Sequence, residues 1–156
     1  MTIKRILVPI DFSEPSLAGL DYAVELSRRL NAALVVILVL EVLYYAAENV
    51  GRLLEEQRRL AEVDLARLAD RFARRGVELE TVLETGLPAQ AIVETARKRD
   101  VDLIVMATHG RTGFSHLLMG SVAEKVVRTA QCPVLTVPTH QPRRARVRHA
   151  ATAPRS

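Results

Sequence analysis

Three glycines and a serine punctuate residues 107–121 of this 156-residue chain: Gly110, Gly113, Gly120 and Ser121. Glycine lets the backbone approach an anion closely and turn its N–H groups toward it. A helix opening near Ser121 adds unpaired N–H donors and the positive end of a helix dipole. His109 and Arg111, in the same segment, either neutralise phosphate or are surface side chains that see a ligand only in passing. An acid, Asp11, follows Pro9 and Ile10 at the end of the first apolar run, and a carboxylate accepts hydrogen bonds from the hydroxyls of a ribose. Such a set asks for a phosphorylated nucleoside held between Asp11 and the loop. Two other uses of these residues stay open: the glycines can simply turn a loop and start a helix, and Asp11 can compete with Ser13 to cap the first helix.

Nucleophilic chemistry is not indicated. His109, His116, Ser115 and Ser121 include the right elements, but in neither the order of a triad nor the setting of a nucleophile elbow, so no catalytic residue is assigned. The pattern of a glycine, four residues and Gly-Lys-Ser/Thr is also absent, which excludes a P-loop motor. Glu41 and Glu84 lie near other strand ends and offer carboxylates beside Asp11. Acids at such positions are commonplace, and no metal site built by the protein is expected; Mg²⁺ usually arrives on substrate phosphates.

The elements that must position these residues alternate. Apolar, β-rich runs at 3–10, 34–40, 77–83, 102–107 and 134–137 read as strands. Between them lie helical patterns: one capped by Ser13 and stopped at Asn31, one over 50–75 stopped by Gly76, one opened by Pro88 and ending in Lys98 and Arg99, and one capped by Ser121 through Ala130. Strand–helix alternation implies right-handed crossovers, a parallel sheet and helices on both faces, a doubly wound α/β domain. In such sheets a ligand sits beyond the carboxyl ends of the strands, where strand order reverses. If the first and fourth strands are neighbours, Asp11 and the loop after Met106 and Ala107 face one crevice.

Composition excludes several classes. The longest apolar run, 32–40, is far shorter than the roughly 20 residues of a membrane helix. No leader pattern precedes the first strand, and the lone Cys132 suits a reducing compartment, so a cytoplasmic protein is expected. The net charge of +4 is misleading. Residues 139–156 hold Arg143, Arg144, Arg146, Arg148 and Arg155 with no acid; removing these five from the 22 basic residues leaves 17 against 18 acids. We therefore expect a domain over 1–138 and a disordered Arg-rich tail over 139–156, with nonspecific, salt-sensitive attraction but no aromatic side chains for specific nucleic-acid recognition.

The chain resembles the universal stress protein family across nearly all of residues 1–138. The resemblance is carried by Ile6-Leu7-Val8-Pro9-Ile10-Asp11-Phe12-Ser13, Asp102-Leu103-Ile104-Val105-Met106, Thr108-His109-Gly110-Arg111-Thr112-Gly113, Gly120-Ser121-Val122-Ala123-Glu124-Lys125-Val126 and Cys132-Pro133-Val134-Leu135. It implies a five-stranded sheet of order 3-2-1-4-5, of the adenine nucleotide alpha hydrolase-like kind. It also implies ATP binding, with Mg²⁺ or Mn²⁺ on the phosphates. The family's ATP-binding members carry a glycine, two residues, a glycine, nine residues, then glycine and Ser or Thr. Here Gly110, Gly120 and Ser121 fit, and Ala107 replaces the first glycine, placing a methyl group where ribose or adenine would approach. By resemblance Asp11 contacts adenosine, Val39 offers its backbone to adenine, and Gly110, Gly120, Ser121 and Val122 surround the phosphates. Pro9, Ile10, Met106, Ala107, His109, Arg111 and Gly113 complete the expected nucleotide-binding set. The implied role is a homodimeric stress-response regulator, paired through the fifth strand Val134–Val137, whose exposed edge needs a partner. The alternatives are a nucleotide-free protein-interaction module of the same fold and a slow ATP hydrolase.

Overall fold

The computed structural model describes residues 2–41, 50–108 and 119–138. Along them run β1 (Arg5–Ile10), α1 (Glu14–Leu30), β2 (Ala33–Leu40), α2 (Val50–Ala73), β3 (Leu79–Thr85), α3 (Pro88–Lys98), β4 (Leu103–Ala107), α4 (Ser121–Thr129) and β5 (Val134–Val137). The strands pair in parallel in the order β3-β2-β1-β4-β5. This is the doubly wound α/β sheet that strand–helix alternation predicts.

The central strands are apolar at almost every position because each buries both faces. Ile6, Val8, Ile10, Leu34, Val36, Leu38, Leu103 and Val105 pack with Leu20 and Val24 of α1 and Leu65 and Phe72 of α2. Their alternating neighbours Leu7, Val35, Ile37, Ile104 and Met106 pack with Ile92 and Ala96 of α3 and Ala123 and Val126 of α4. Two cores therefore grip the sheet, and the strand ends between them have little freedom to shift.

Three helices stop in the same way. At the ends of α1, α2 and α3 the chain turns left-handed at Asn31 (φ 54°), Gly76 (φ 72°) and Asp100 (φ 49°). The next residue then donates its N–H back five positions: Ala32 to Ser27, Val77 to Phe72 and Val101 to Ala96, each at 3.0 Å. This is the Schellman arrangement, which satisfies orphan helix carbonyls and buries an apolar residue just past the turn. It corrects the third strand, expected at 77–83 and found at Leu79–Thr85. Val77 is apolar because it seals the end of α2, and it is buried there.

A carboxylate sets the register between the two strands that matter most for the site. Asp102 Oδ2 accepts hydrogen bonds from the backbone N–H groups of Lys4 (2.7 Å) and Arg5 (2.9 Å), and the Asp102 N–H donates to the Arg5 carbonyl at 3.0 Å. Just beyond this clamp Ile6 pairs with Leu103 and Leu7 with Ile104. Continuing the offset brings Ile10 opposite Ala107, so β1 and β4 end at one level. The two backbone donors hold the Asp102 carboxyl below its ordinary pKa. A depressed folded-state pKa contributes stability that is fully present above the unfolded value, near 4, and is lost as pH falls through the folded one. Asp102→Asn is therefore expected to lower the thermal midpoint at neutral pH, and the gap from the parent protein should close as pH drops below about 4. A gap independent of pH would show that the charge does not matter.

Candidate functional site

Strand order reverses between β1 and β4, with β2 and β3 on one side and β5 on the other. A crevice opens there beyond the carboxyl ends. Three segments meet at it: the turn after β1, the end of β4 and the start of α4.

The turn after β1 is built by its own polar side chains. Phe12 takes a left-handed conformation (φ 60°). Asp11 Oδ1 accepts from the Ser13 N–H at 3.0 Å and from the Ser13 hydroxyl. Ser13 Oγ in turn accepts from the Ser16 N–H at 3.3 Å and is the N-cap of α1. The Asp11 N–H donates to Ser16 Oγ at 3.3 Å, and that hydroxyl donates to the Ser13 carbonyl at 2.9 Å. Ser13 therefore caps α1, and Asp11 braces the cap while standing half-buried at the strand end. Asp11→Ala, which removes this acceptor, is expected to cost about 1–2 kcal/mol, or a fall of roughly 2–6 °C in the thermal midpoint. Asp11→Asn keeps an oxygen for Ser13 and should retain most of that stability; equal losses in the two variants would contradict the bracing role.

The end of β4 is tied to α4 through its backbone. The Thr108 N–H donates to the Val137 carbonyl at 3.2 Å, and the Thr108 carbonyl accepts from the Gly120 N–H at 2.7 Å. Gly120, rather than the expected Ser121, is the N-cap of α4. Its carbonyl accepts the first helical bond, from the Glu124 N–H at 2.9 Å, and Ser121 is the first helical residue. Glycine at the cap has no side chain to bond to the first turn. The N–H groups of Ser121, Val122 and Ala123 have no intrahelical partner. Ser121 is exposed and Val122 half-buried. The helix thus presents a positive end and a hydroxyl at the carboxyl end of β4.

Ala107 is 8% exposed, and its methyl does not stand open in the crevice. Its neighbour Met106 packs into the α3–α4 core. Ala107, alternating with it, faces α1, where a Cβ built on Gly19 would lie 3.8 Å from the Ala107 Cβ and 3.3 Å from its backbone nitrogen. The methyl expected to intrude on a ribose or adenine is accommodated against α1 instead. Gly19 was not read as important from the sequence; the available signal was a glycine between Leu17 and Leu20 in an otherwise apolar stripe.

Val39 is near the end of β2. The Ala33 N–H donates to Lys4 of the β1 side, and Leu40 accepts from the Gly86 N–H on the β3 side, both at backbone atoms. Alternation therefore turns the N–H and C=O of Val39 toward β1, whose last residue paired with β2 is Ile10, opposite Leu38. The Val39 carbonyl lies on the β1 side at the level where β1 stops. Pro9 and Ile10 are paired within the sheet beneath it. Glu41 and Glu84 are exposed, and among the described residues no group of three His, Cys, Asp or Glu side chains converges to hold a metal ion. His109, Gly110, Arg111 and Gly113 lie outside the described residues. Cys132 is half-buried at the other end of the sheet, and desolvation pushes its thiol above the ordinary pKa, so it is no activated nucleophile.

Residues 2–138 match the Universal stress protein family. The chain is 36% identical over 141 residues to Universal stress protein MJ0531 of Methanocaldococcus jannaschii, covering 86% of this chain and 81% of that protein. The solved structure of the universal stress protein UspA from Lactobacillus plantarum matches with a TM-score of 0.78 at 25% identity, over 88% of this chain and 99% of that one. The same fold is shared, at 24% identity, by a universal stress protein solved in complex with cAMP (TM-score 0.67; 88% and 98% covered) and one from Archaeoglobus fulgidus in complex with dAMP (TM-score 0.64; 87% and 98% covered).

Proposed function

Because the chain belongs to the universal stress protein family, we propose that it binds an adenine nucleotide, with ATP as its ligand, in the crevice between β1 and β4. The observation that carries this reading is the clasp from Thr108 to Gly120, which sets a glycine-capped helix N-terminus at the strand-order reversal. Phosphates sit at that N-terminus on the N–H groups of Ser121 and Val122 and on the Ser121 hydroxyl, with His109, Gly110, Arg111 and Gly113 of the preceding loop around them. Asp11 receives the ribose hydroxyls, and the Val39 backbone pairs with an adenine edge across Pro9, Ile10, Met106 and Ala107. The cAMP and dAMP complexes of fold neighbours support an adenine nucleotide as the ligand class. The choice of ATP rests on the spacing of Gly110, Gly120 and Ser121. Mg²⁺ or Mn²⁺ arrives with the phosphates.

The working domain is 1–138, and its role is regulatory, in a cytoplasmic stress response carried to protein partners; hydrolysis is slow at most. β5 ends the described sheet, pairs with β4 alone and is half-buried along its length. That edge supports a homodimer formed by pairing with a second copy. Calorimetric titration with ATP, ADP and AMP in the presence of Mg²⁺ tests the ligand. Saturable binding is expected, and no heat at millimolar nucleotide would overturn the reading.

A further inference from the structure

We infer that Ser16 and Gly19, one turn apart on the buried face of α1, are positioning residues that set the width of the crevice, Ser16 on the ribose side and Gly19 on the phosphate side. The inference rests on the nucleotide reading above and extends it to residues beneath the site that the reading does not use.

Both walls of the crevice lean on one helix. Ser16 is 6% exposed, and its hydroxyl is used twice: it accepts from the Asp11 N–H at 3.3 Å and donates to the Ser13 carbonyl at 2.9 Å. The Asp11 carboxylate is held to the same turn, by the Ser13 N–H at 3.0 Å and the Ser13 hydroxyl. Asp11, the first residue past β1, is therefore fixed to the start of α1 through both its backbone and its side chain. Removing the Ser16 oxygen deletes the backbone half of that attachment and lets the residue turn.

Gly19 follows three residues later on the same face and is buried. A Cβ added there would stand 3.3 Å from the Ala107 nitrogen and 3.8 Å from the Met106 carbonyl carbon, so the bare Cα of Gly19 seats the Met106–Ala107 peptide against α1. From that peptide the path to the phosphates is short. Ala107 pairs with Val137. Thr108, the next residue, donates to the Val137 carbonyl and accepts from the Gly120 N–H at 2.7 Å. The clasp carries any shift at the end of β4 to the start of α4. A backbone neighbour at 3.3 Å must give by a few tenths of an ångström, and a binding site has to be held within about 0.5 Å of its productive geometry. A methyl group at position 19 takes up much of that tolerance from beneath the strand.

The test titrates the full chain and its Ser16→Ala and Gly19→Ala variants with ATP and with its dideoxyribose analogue, which lacks both ribose hydroxyls. Both substitutions raise helix propensity, which keeps the variants folded. The parent should prefer ATP about tenfold, because Asp11 accepts from the hydroxyls. In Ser16→Ala, ATP affinity should fall about tenfold and affinity for the analogue less than about twofold, so the preference collapses. Ser16→Thr, which keeps the hydroxyl, should restore it. In Gly19→Ala both affinities should fall together, about tenfold, with the preference kept. The amide resonances of Gly120 and Ser121 should also move in that variant without nucleotide, while those of Asp11 and Ser13 stay. A merely structural role would weaken both nucleotides alike in both variants, and that result overturns the inference. Parental ATP affinity in either alanine variant overturns it too, as does a parent without the preference for ATP. If the parent chain binds neither nucleotide, the nucleotide reading has failed, and this inference with it.

Discussion

Replacing Gly120 with valine should lower ATP affinity by at least about a hundredfold, close to 2.7 kcal/mol, in a protein that still folds. Gly120 sits at φ −59° and ψ 148°, backbone that any L residue adopts, so a side chain brings no conformational strain. Valine is a poorer N-cap than glycine by about 1 kcal/mol, which is a few degrees in thermal midpoint. Binding suffers far more, because the isopropyl group stands where an anion must come to reach the N–H groups of Ser121 and Val122. Gly120→Ala should fall between the two. Titration of each variant alongside a melting curve separates the effects, and parental affinity in Gly120→Val would place the phosphates elsewhere.

Two helical glycines should respond to substitution with opposite sign. Gly19, in α1, has the backbone nitrogen of Ala107 only 3.3 Å from the position of an added Cβ. A strand held between two cores cannot yield as a flexible side chain would. Gly19→Val is expected to cost about 2–3 kcal/mol through overpacking, well above the roughly 0.5 kcal/mol that helix propensity returns on removing glycine. The midpoint should drop by about 5–10 °C. Gly51, near the start of α2, has no atom of the described residues within 4 Å of an added Cβ. Gly51→Ala should therefore raise stability by about 0.5–1 kcal/mol. If both substitutions stabilised the protein, the close approach of α1 to β4 would be wrong.

The fold was legible because its determinants are local or periodic. Apolar runs at β1, β2 and β4, interrupted only by Lys4 and Arg5 at the start of the first, announce strands buried on both faces, and their alternation with helical patterns leaves a parallel sheet as the consistent outcome. Val77 misled because an apolar residue after a helix-ending glycine serves two purposes that look alike in sequence. One is to begin a strand, and the other is to seal a Schellman turn. Ser121 misled for a related reason: serine is a favoured cap, but the cap falls on the residue whose carbonyl begins the helical ladder, and the clasp to Thr108 fixes that at Gly120.

The site was less legible than the fold, since what matters there is direction. The sequence identifies Ala107 as a departure from the glycine pattern, but only the packing of α1 shows that its methyl turns toward Gly19. Asp11 is recognisable as an acid at a strand end; that one of its oxygens also braces Ser13 depends on the left-handed turn at Phe12, for which no glycine gives a cue. Asp102, at the opposite end of the sheet, lies in a quoted motif, yet its work is to bring two strands separated by nearly a hundred residues into register.

The most direct test of the site is an amide chemical-shift titration of ¹⁵N-labelled protein with ATP and Mg²⁺. The largest shifts should fall on Gly120, Ser121 and Val122, with a second group at Asp11, Phe12 and Val39. Shifts confined to another surface, such as the depression of about 170 Å³ lined by Glu84, Gly86, Gln90 and Glu94, or no shifts at saturating nucleotide, would contradict the placement of the ligand between β1 and β4.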